Sequence, residues 1–191
     1  MTTPQNRVYL VRHGATEWSE NGRHTGRTNI PLTERGREQA RSAGRLLEAR
    51  AFALVLTSPL DRARETCDLA GYGDEAVVTD ELCEWDYGDY EGRTTLDIRQ
   101  DVPGWTVWSH AIPNGETIER VAARADRVVD QALTASGDVA LFAHGHILRV
   151  LTARWCELPP QEGKRFMLET GTLNVLGWEH EYRGIRDWNR V

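Results

Sequence analysis

The feature that most constrains this chain is a repeated change of period along it. From Thr117 to Ala135, the residues Ile118, Val121, Ala122, Ala125, Val128, Val129, Ala132 and Leu133 recur at helical spacing. Gly137 ends that pattern, and Val139-Ala140-Leu141-Phe142-Ala143 follows as an unbroken strand-like run. The same exchange occurs throughout. Strands are predicted at Val8 to Val11, Leu54 to Thr57, Val77-Val78, Thr172 to Trp178 and near Tyr182 to Trp188. Between them come a helix capped by Thr33 and reaching about Arg50, with Ala40, Ala43, Gly44 and Leu47 on one face, and shorter helices at Asp61 to Leu69 and Ile147 to Trp155. Strands alternating with helices predict an α/β three-layer sandwich, a mostly parallel central sheet flanked by helices. Nothing divides the 191 residues convincingly, so a single domain is expected.

Two of the runs end alike. Val8 to Val11 delivers Arg12-His13-Gly14, and Val139 to Ala143 delivers His144-Gly145-His146. As parallel neighbours they would bring both ends to one sheet edge, where open α/β sheets bind ligands, so His13 and His144 are expected to face one pocket. Leu54 to Thr57 runs into Ser58-Pro59-Leu60-Asp61-Arg62, a helix start that places Arg62 in the first turn. The segment Leu82 to Gly92 sets acids, among them Glu84, beside aromatic rings. Such surroundings raise a carboxyl pKa and let it carry a proton near neutrality. Two histidines, two arginines and an acid suffice to move a phosphoryl group through a covalent histidine intermediate without metal. A neutral imidazole is the nucleophile, guanidinium forks neutralise phosphate oxygens, and the acid serves the leaving alcohol and then the incoming water.

Other patterns carry blander expectations. The net charge is −6 and the arginines are scattered, so nucleic acid is not an expected partner. Cys67, Cys83 and Cys156 lack paired spacing and read as small core residues in a reducing compartment. Met1 to Arg7 is polar with no apolar signal segment after it, and no run reaches membrane-spanning length, so a cytoplasmic protein with no membrane contact is expected. His144 and His146 fail as a metal pair, because alternate strand residues face opposite ways and no further ligand stands nearby. His24, His110 and His180 read as surface or satisfied core histidines, and Arg23, Arg27 and Arg93 as solvated surface by default, with substrate contact the alternative. Trp85, Trp105 and Trp108 lie around the acid, either walling off water and gripping a leaving group or filling a small lid.

In order along the chain, Arg12-His13-Gly14, Trp18, Thr25-Gly26, Pro31-Leu32-Thr33 with Gly36, Ser58-Pro59 with Arg62-Ala63 and Thr66, Glu84 with Gly88 and Glu91-Gly92, Asn114-Gly115-Glu116 and His144-Gly145 resemble the histidine phosphatase superfamily in its phosphoglycerate-mutase-like branch. The resemblance implies that His13 is the phosphorylated nucleophile, that Arg12, Arg62 and His144 form the phosphate pocket, and that Glu84 is the acid and base. Ser19 stands where mutases of the family usually have asparagine, Thr25 and Gly26 match a substrate-touching loop, and Tyr87 matches a substrate-side tyrosine. Gly145 and His146 complete the expected substrate contacts, with His146 replacing an asparagine common in mutases. Within the superfamily the segments around Trp18, Glu84 and His144 look most like small acid phosphatases of actinobacteria and fungal sedoheptulose bisphosphatase, which are hydrolases. Mutases of the family carry a longer, more basic insertion after the Glu-Gly segment, whereas only Arg93 and Arg99 supply cations between Gly92 and Asn114. The resemblance therefore implies a phosphatase acting on a small phosphorylated metabolite, possessing no metal or other cofactor. A phosphoglycerate mutase and a catalytically silent binding module are the alternatives, and a homodimer is left open.

Overall fold

The computed structural model describes residues 6–191, and the polar start from Met1 to Gln5 lies outside the described residues. Six strands form one sheet: β1 (Val8–Arg12), β2 (Leu54–Thr57), β3 (Val77–Val78), β4 (Val139–Ala143), β5 (Leu173–Glu179) and β6 (Tyr182–Arg190). The helices are α1 (Glu17–Glu20), α2 (Glu34–Leu47), α3 (Asp61–Leu69), α4 (Thr95–Asp101), α5 (Ile118–Thr134) and α6 (Gly145–Trp155). The strand order is β3-β2-β4-β1-β5-β6, with β1, β2, β3 and β4 parallel. β5 runs against β1, and β6 against β5. The reversal of β6 follows from length, since the few residues between Glu179 and Tyr182 can close a hairpin but not a crossover.

Successive residues of β1 serve opposite layers. Val8 and Leu10 pack with Leu141, Trp85, Trp155 and the apolar stripe of α5. Tyr9 and Val11 pack with Val55, Phe142 and the inner face of α2, Ala43 and Leu47. The crossover from β1 through α2 to β2 and the crossover from β4 through α6 to β5 therefore depart in opposite directions on opposite faces. The crevice between β1 and β4 lies where they part, at the strands' carboxyl ends.

The helix boundaries expected from the sequence fall within a few residues of those observed, except that the helix from Thr33 stops at Leu47, where Glu48 turns left-handed with φ 54°. The four-residue α1 and the helix α4 were not anticipated. In α4 only Ile98 is buried, which leaves no apolar period to read, although Thr94 and Asp97 form a capping box. Among the described residues no helix is long and apolar enough to cross a membrane.

Candidate active site

The pairing of β1 with β4 continues past the strand end, as the His13 N–H donates to the Ala143 carbonyl at 3.0 Å. It brings the rings of His13 and His144 to a centroid separation of 5.2 Å. Gly14 makes the turn that follows: a Cβ there would stand 2.1 Å from the carbonyl oxygen of Gly36 in α2. The His13 ring is oriented by its own neighbour, with Nδ1 2.8 Å from the Gly14 carbonyl oxygen. A carbonyl only accepts, so Nδ1 carries the proton and Nε2 keeps the lone pair. Burial, and then the charges of Arg62 and Arg12, hold the His13 pKa well below its ordinary 6.5.

Arg62 and His144, expected in the pocket itself, stand behind it, both at 0% exposure. Arg62 donates from Nε to His144 Nδ1 at 3.1 Å, from Nη1 to the Thr28 carbonyl at 3.0 Å, and from Nη2 to the carbonyls of Thr25 and Gly26 at 3.1 and 2.8 Å. Since Nδ1 accepts, the neutral His144 ring carries its proton on Nε2 and donates it to Ser58 Oγ at 2.7 Å. The same loop is held from its other side by Glu91, whose carboxylate accepts from the N–H groups of Gly26 (2.9 Å) and Thr28 (3.1 Å). Gly26 is required there, because a Cβ would lie 2.6 Å from a Glu91 carboxylate oxygen and 2.8 Å from the Trp85 carbonyl. Four of the five guanidinium N–H bonds of Arg62 are thus committed within the protein.

Glu84 reaches the same place from another segment. Its Oε1 accepts from the N–H groups of Trp85 at 2.9 Å and Ile147 at 3.0 Å, and its Oε2 from the His146 N–H at 2.9 Å. His144, the N-cap of α6, supplies no side-chain cap, so Glu84 satisfies helix-terminal donors from outside the helix. Trp85, fully buried, anchors the next residue through Nε1 to the Glu116 carbonyl at 2.8 Å.

These groups meet a cleft of about 220 Å³. Of the residues singled out from the sequence, Arg12, His13, Ser19, Thr25, Glu84, Tyr87, Gly145 and His146 line it, while Gly26, Arg62 and His144 lie behind its wall. Ser19 uses its hydroxyl in the capping box with Thr16. Arg12 donates from Nη1 to the Leu168 carbonyl, and its buried Nε has no hydrogen-bond partner among the described residues. The Tyr87 hydroxyl lies 2.6 Å from His146 Nδ1.

His24 has the partner expected of a satisfied histidine, Thr95 Oγ1 at 3.2 Å from Nε2, and it also lines the cleft, its ring tilted 4.8 Å from Tyr87 and edge-on 5.3 Å from Trp105. Burial lowers its pKa to about 4. Arg23 is exposed and also lines the cleft, and Arg149 joins it without having been singled out. The signal for Arg149 was its spacing, one helical turn after His146 in a helix that begins at the site. Trp85 and Trp105 fill the core, whereas half-buried Trp108 packs its ring 5.3 Å from His146 and beneath Arg149, 4.8 Å away. Among the described residues no group of three or more His, Cys, Asp or Glu is arranged to hold a metal ion. The cysteines are free, with Cys67 and Cys83 buried.

Comparison with known proteins agrees with this geometry. The family model described as "Histidine phosphatase superfamily (branch 1)" matches residues 8–191. An acid phosphatase of Mycobacterium tuberculosis is 44% identical over 189 residues, covering 97% of this chain and 93% of that protein. The sedoheptulose 1,7-bisphosphatase of Saccharomyces cerevisiae is 35% identical, covering 82% of this chain and 69% of its own length. A solved structure of an open reading frame from Mycobacterium tuberculosis superposes with a TM-score of 0.92 at 44% identity, covering 97% of this chain and 98% of that one.

Proposed function

The chain belongs to the histidine phosphatase superfamily (branch 1), and from that premise we propose that it hydrolyses small phosphomonoesters in two steps through phosphohistidine at His13. The observation that carries this reading is the His13 tautomer. Its Nδ1–H is spent on the Gly14 carbonyl, which leaves the Nε2 lone pair of a neutral ring beside Arg12 and Glu84 in one cleft. In the first step Nε2 bonds to phosphorus as the bond to the leaving oxygen breaks, and Glu84 gives that oxygen a proton. In the second, Glu84 takes a proton from water, the water oxygen bonds to phosphorus, and the P–N bond breaks to release phosphate.

Arg12, whose buried Nε lacks a partner among the described residues, supplies the fork for the phosphoryl oxygens. Arg62 acts from behind, fixing the loop at residues 25–28, orienting the neutral His144 ring and, with Arg12, setting a positive field at His13. In this reading arginines carry the counter-charge and no metal takes part. The related acid phosphatase and sedoheptulose bisphosphatase support hydrolysis as the outcome. Besides Arg12, the cleft has Arg23 and Arg149, whereas the two cations between Gly92 and Asn114, where the mutases' basic insertion would stand, are engaged within the protein. Arg93 donates to the Asp97 carbonyl at 2.9 Å, and Arg99 to the Trp105 carbonyl at 2.8 Å.

Incubation with p-nitrophenyl phosphate and with 3-phosphoglycerate, with and without bisphosphoglycerate and EDTA, tests the proposal. Expected are phosphate release indifferent to EDTA and no isomerised product. Isomerisation that depends on bisphosphoglycerate would make the chain a mutase. Absence of turnover in the folded protein would leave a binding module.

A further inference from the structure

One pair in the cleft has no part in the two chemical steps. The Tyr87 hydroxyl lies 2.6 Å from His146 Nδ1, and this is its sole hydrogen bond among the described residues. Tyr87 is only 1% exposed. If Nδ1–H pointed at the phenolic oxygen, the phenolic hydrogen would be buried with no acceptor, so Tyr87 donates and Nδ1 accepts. A neutral His146 ring then carries its proton on Nε2. Burial and the charge of Arg149 keep the ring neutral by lowering its pKa well below 6.5, and burial raises the Tyr87 phenol well above 10.0. Both partners therefore hold these roles across the neutral and mildly acid range.

Nε2 makes no hydrogen bond to protein among the described residues, it is not one of the buried atoms left unpaired, and the ring lines the cleft. Its N–H consequently opens to the cleft. The same residue's backbone N–H holds Glu84 Oε2 at 2.9 Å. His146 thus holds, through its backbone, the carboxyl that serves the leaving oxygen, and both residues line the same cleft.

Resting on the phosphatase reading of this site, we propose that His146 is a specificity residue whose Nε2–H, aimed by Tyr87, donates to a hydroxyl or carbonyl oxygen on the carbon next to the phosphoester. The preferred leaving group is then a polyhydroxy alcohol rather than a bare alkyl chain. A neutral donor suits a neutral oxygen, leaving the phosphate to the arginine. A polar group built to meet a substrate oxygen discriminates against the analogue that lacks it, because the donor is then left unpaired when the cleft is filled.

The matched esters glycerol 1-phosphate and n-propyl phosphate test this through the ratio of their kcat/KM values. His146→Phe keeps a ring against Trp108 and the backbone N–H to Glu84 but removes the donor. Tyr87→Phe keeps its ring and frees the His146 proton to move to Nδ1. The wild-type ratio is expected to favour the glycerol ester. Both variants should lower it, His146→Phe by about tenfold, the worth of one hydrogen bond, through slower turnover of the glycerol ester. A ratio unchanged in both variants overturns the proposal. So does a wild-type ratio near one in a preparation that turns over p-nitrophenyl phosphate, and that result leaves the phosphatase reading standing. Failure of the folded wild type to hydrolyse any of the three esters ends both.

Discussion

At the scale of single residues, the division of labour between His13 and Glu84 can be separated by the leaving group. A sugar alkoxide needs a proton as it departs and p-nitrophenolate does not, so Glu84→Gln should slow sugar phosphates far more than p-nitrophenyl phosphate in the first step. Water activation would still be lost. A burst of nitrophenolate ahead of a slow steady state is the expected stopped-flow trace, and loss of the burst on both ester types would move the acid role to another carboxyl. His13 sets the acid side of the pH profile. Because burial and Arg62 lower its pKa, the nucleophile stays unprotonated below pH 6.5, and the acid limb of kcat/KM should lie below that value. His13 and His144 were legible because they follow strand ends and precede glycine, and Glu84 because it stands among aromatic residues. Arg149 and His24 were harder to see, since arginine and histidine in a helix or loop have solvated surface as their ordinary fate, and only the closing of the loop around residues 22–25 over α6 brings them to the cleft.

Among elements, the loop at residues 25–28 is the one most dependent on a distant side chain. Arg62, from the first turn of α3, holds three of its carbonyls, and Glu91 holds two of its N–H groups. Lysine has three donors on one point and no fork, so Arg62→Lys cannot span the His144 ring and the loop together. A fall in kcat/KM of roughly a hundredfold or more is expected, with the larger share in kcat, since the effect passes through the placement of His144 and Thr25. Steady-state kinetics that match the wild type would make the clamp ornamental. The longer helices were readable from apolar period, as in α5, where each buried residue belongs to the expected stripe, whereas α1 and α4 bury too little to show one. The clamp was not readable, because it joins side chains to backbone carbonyls, and carbonyls have no residue-specific signature. The reversed β5 was likewise hidden, although its hairpin spacing to β6 was in the sequence.

For the whole molecule, the cost of the site appears as acid sensitivity. His13, His144 and His146 have pKa values well below 6.5 when folded, and His24 is at about 4. The unfolded chain regains ordinary histidines, so below about pH 6.5 it binds protons that the folded chain refuses. Stability is therefore full above pH 6.5 and declines as pH falls beneath it, by about 1.4 kcal/mol per pH unit for each of the buried rings of His13 and His144. Melting curves between pH 7.5 and 5.5, above the carboxylate range, should show Tm falling by several degrees, and saturating phosphate should oppose the fall. A Tm that holds constant or rises would mean these rings are already charged in the fold. The whole molecule also provides the most direct test of the central claim, that phosphate passes through His13. Intact mass spectrometry of Glu84→Gln, mixed with p-nitrophenyl phosphate and quenched without acid, should show one added phosphoryl group, lost on acid treatment and located by fragmentation on the peptide containing His13, while His13→Ala gains none. A phosphoryl group found on His144, or none on any residue while turnover proceeds, would contradict the account.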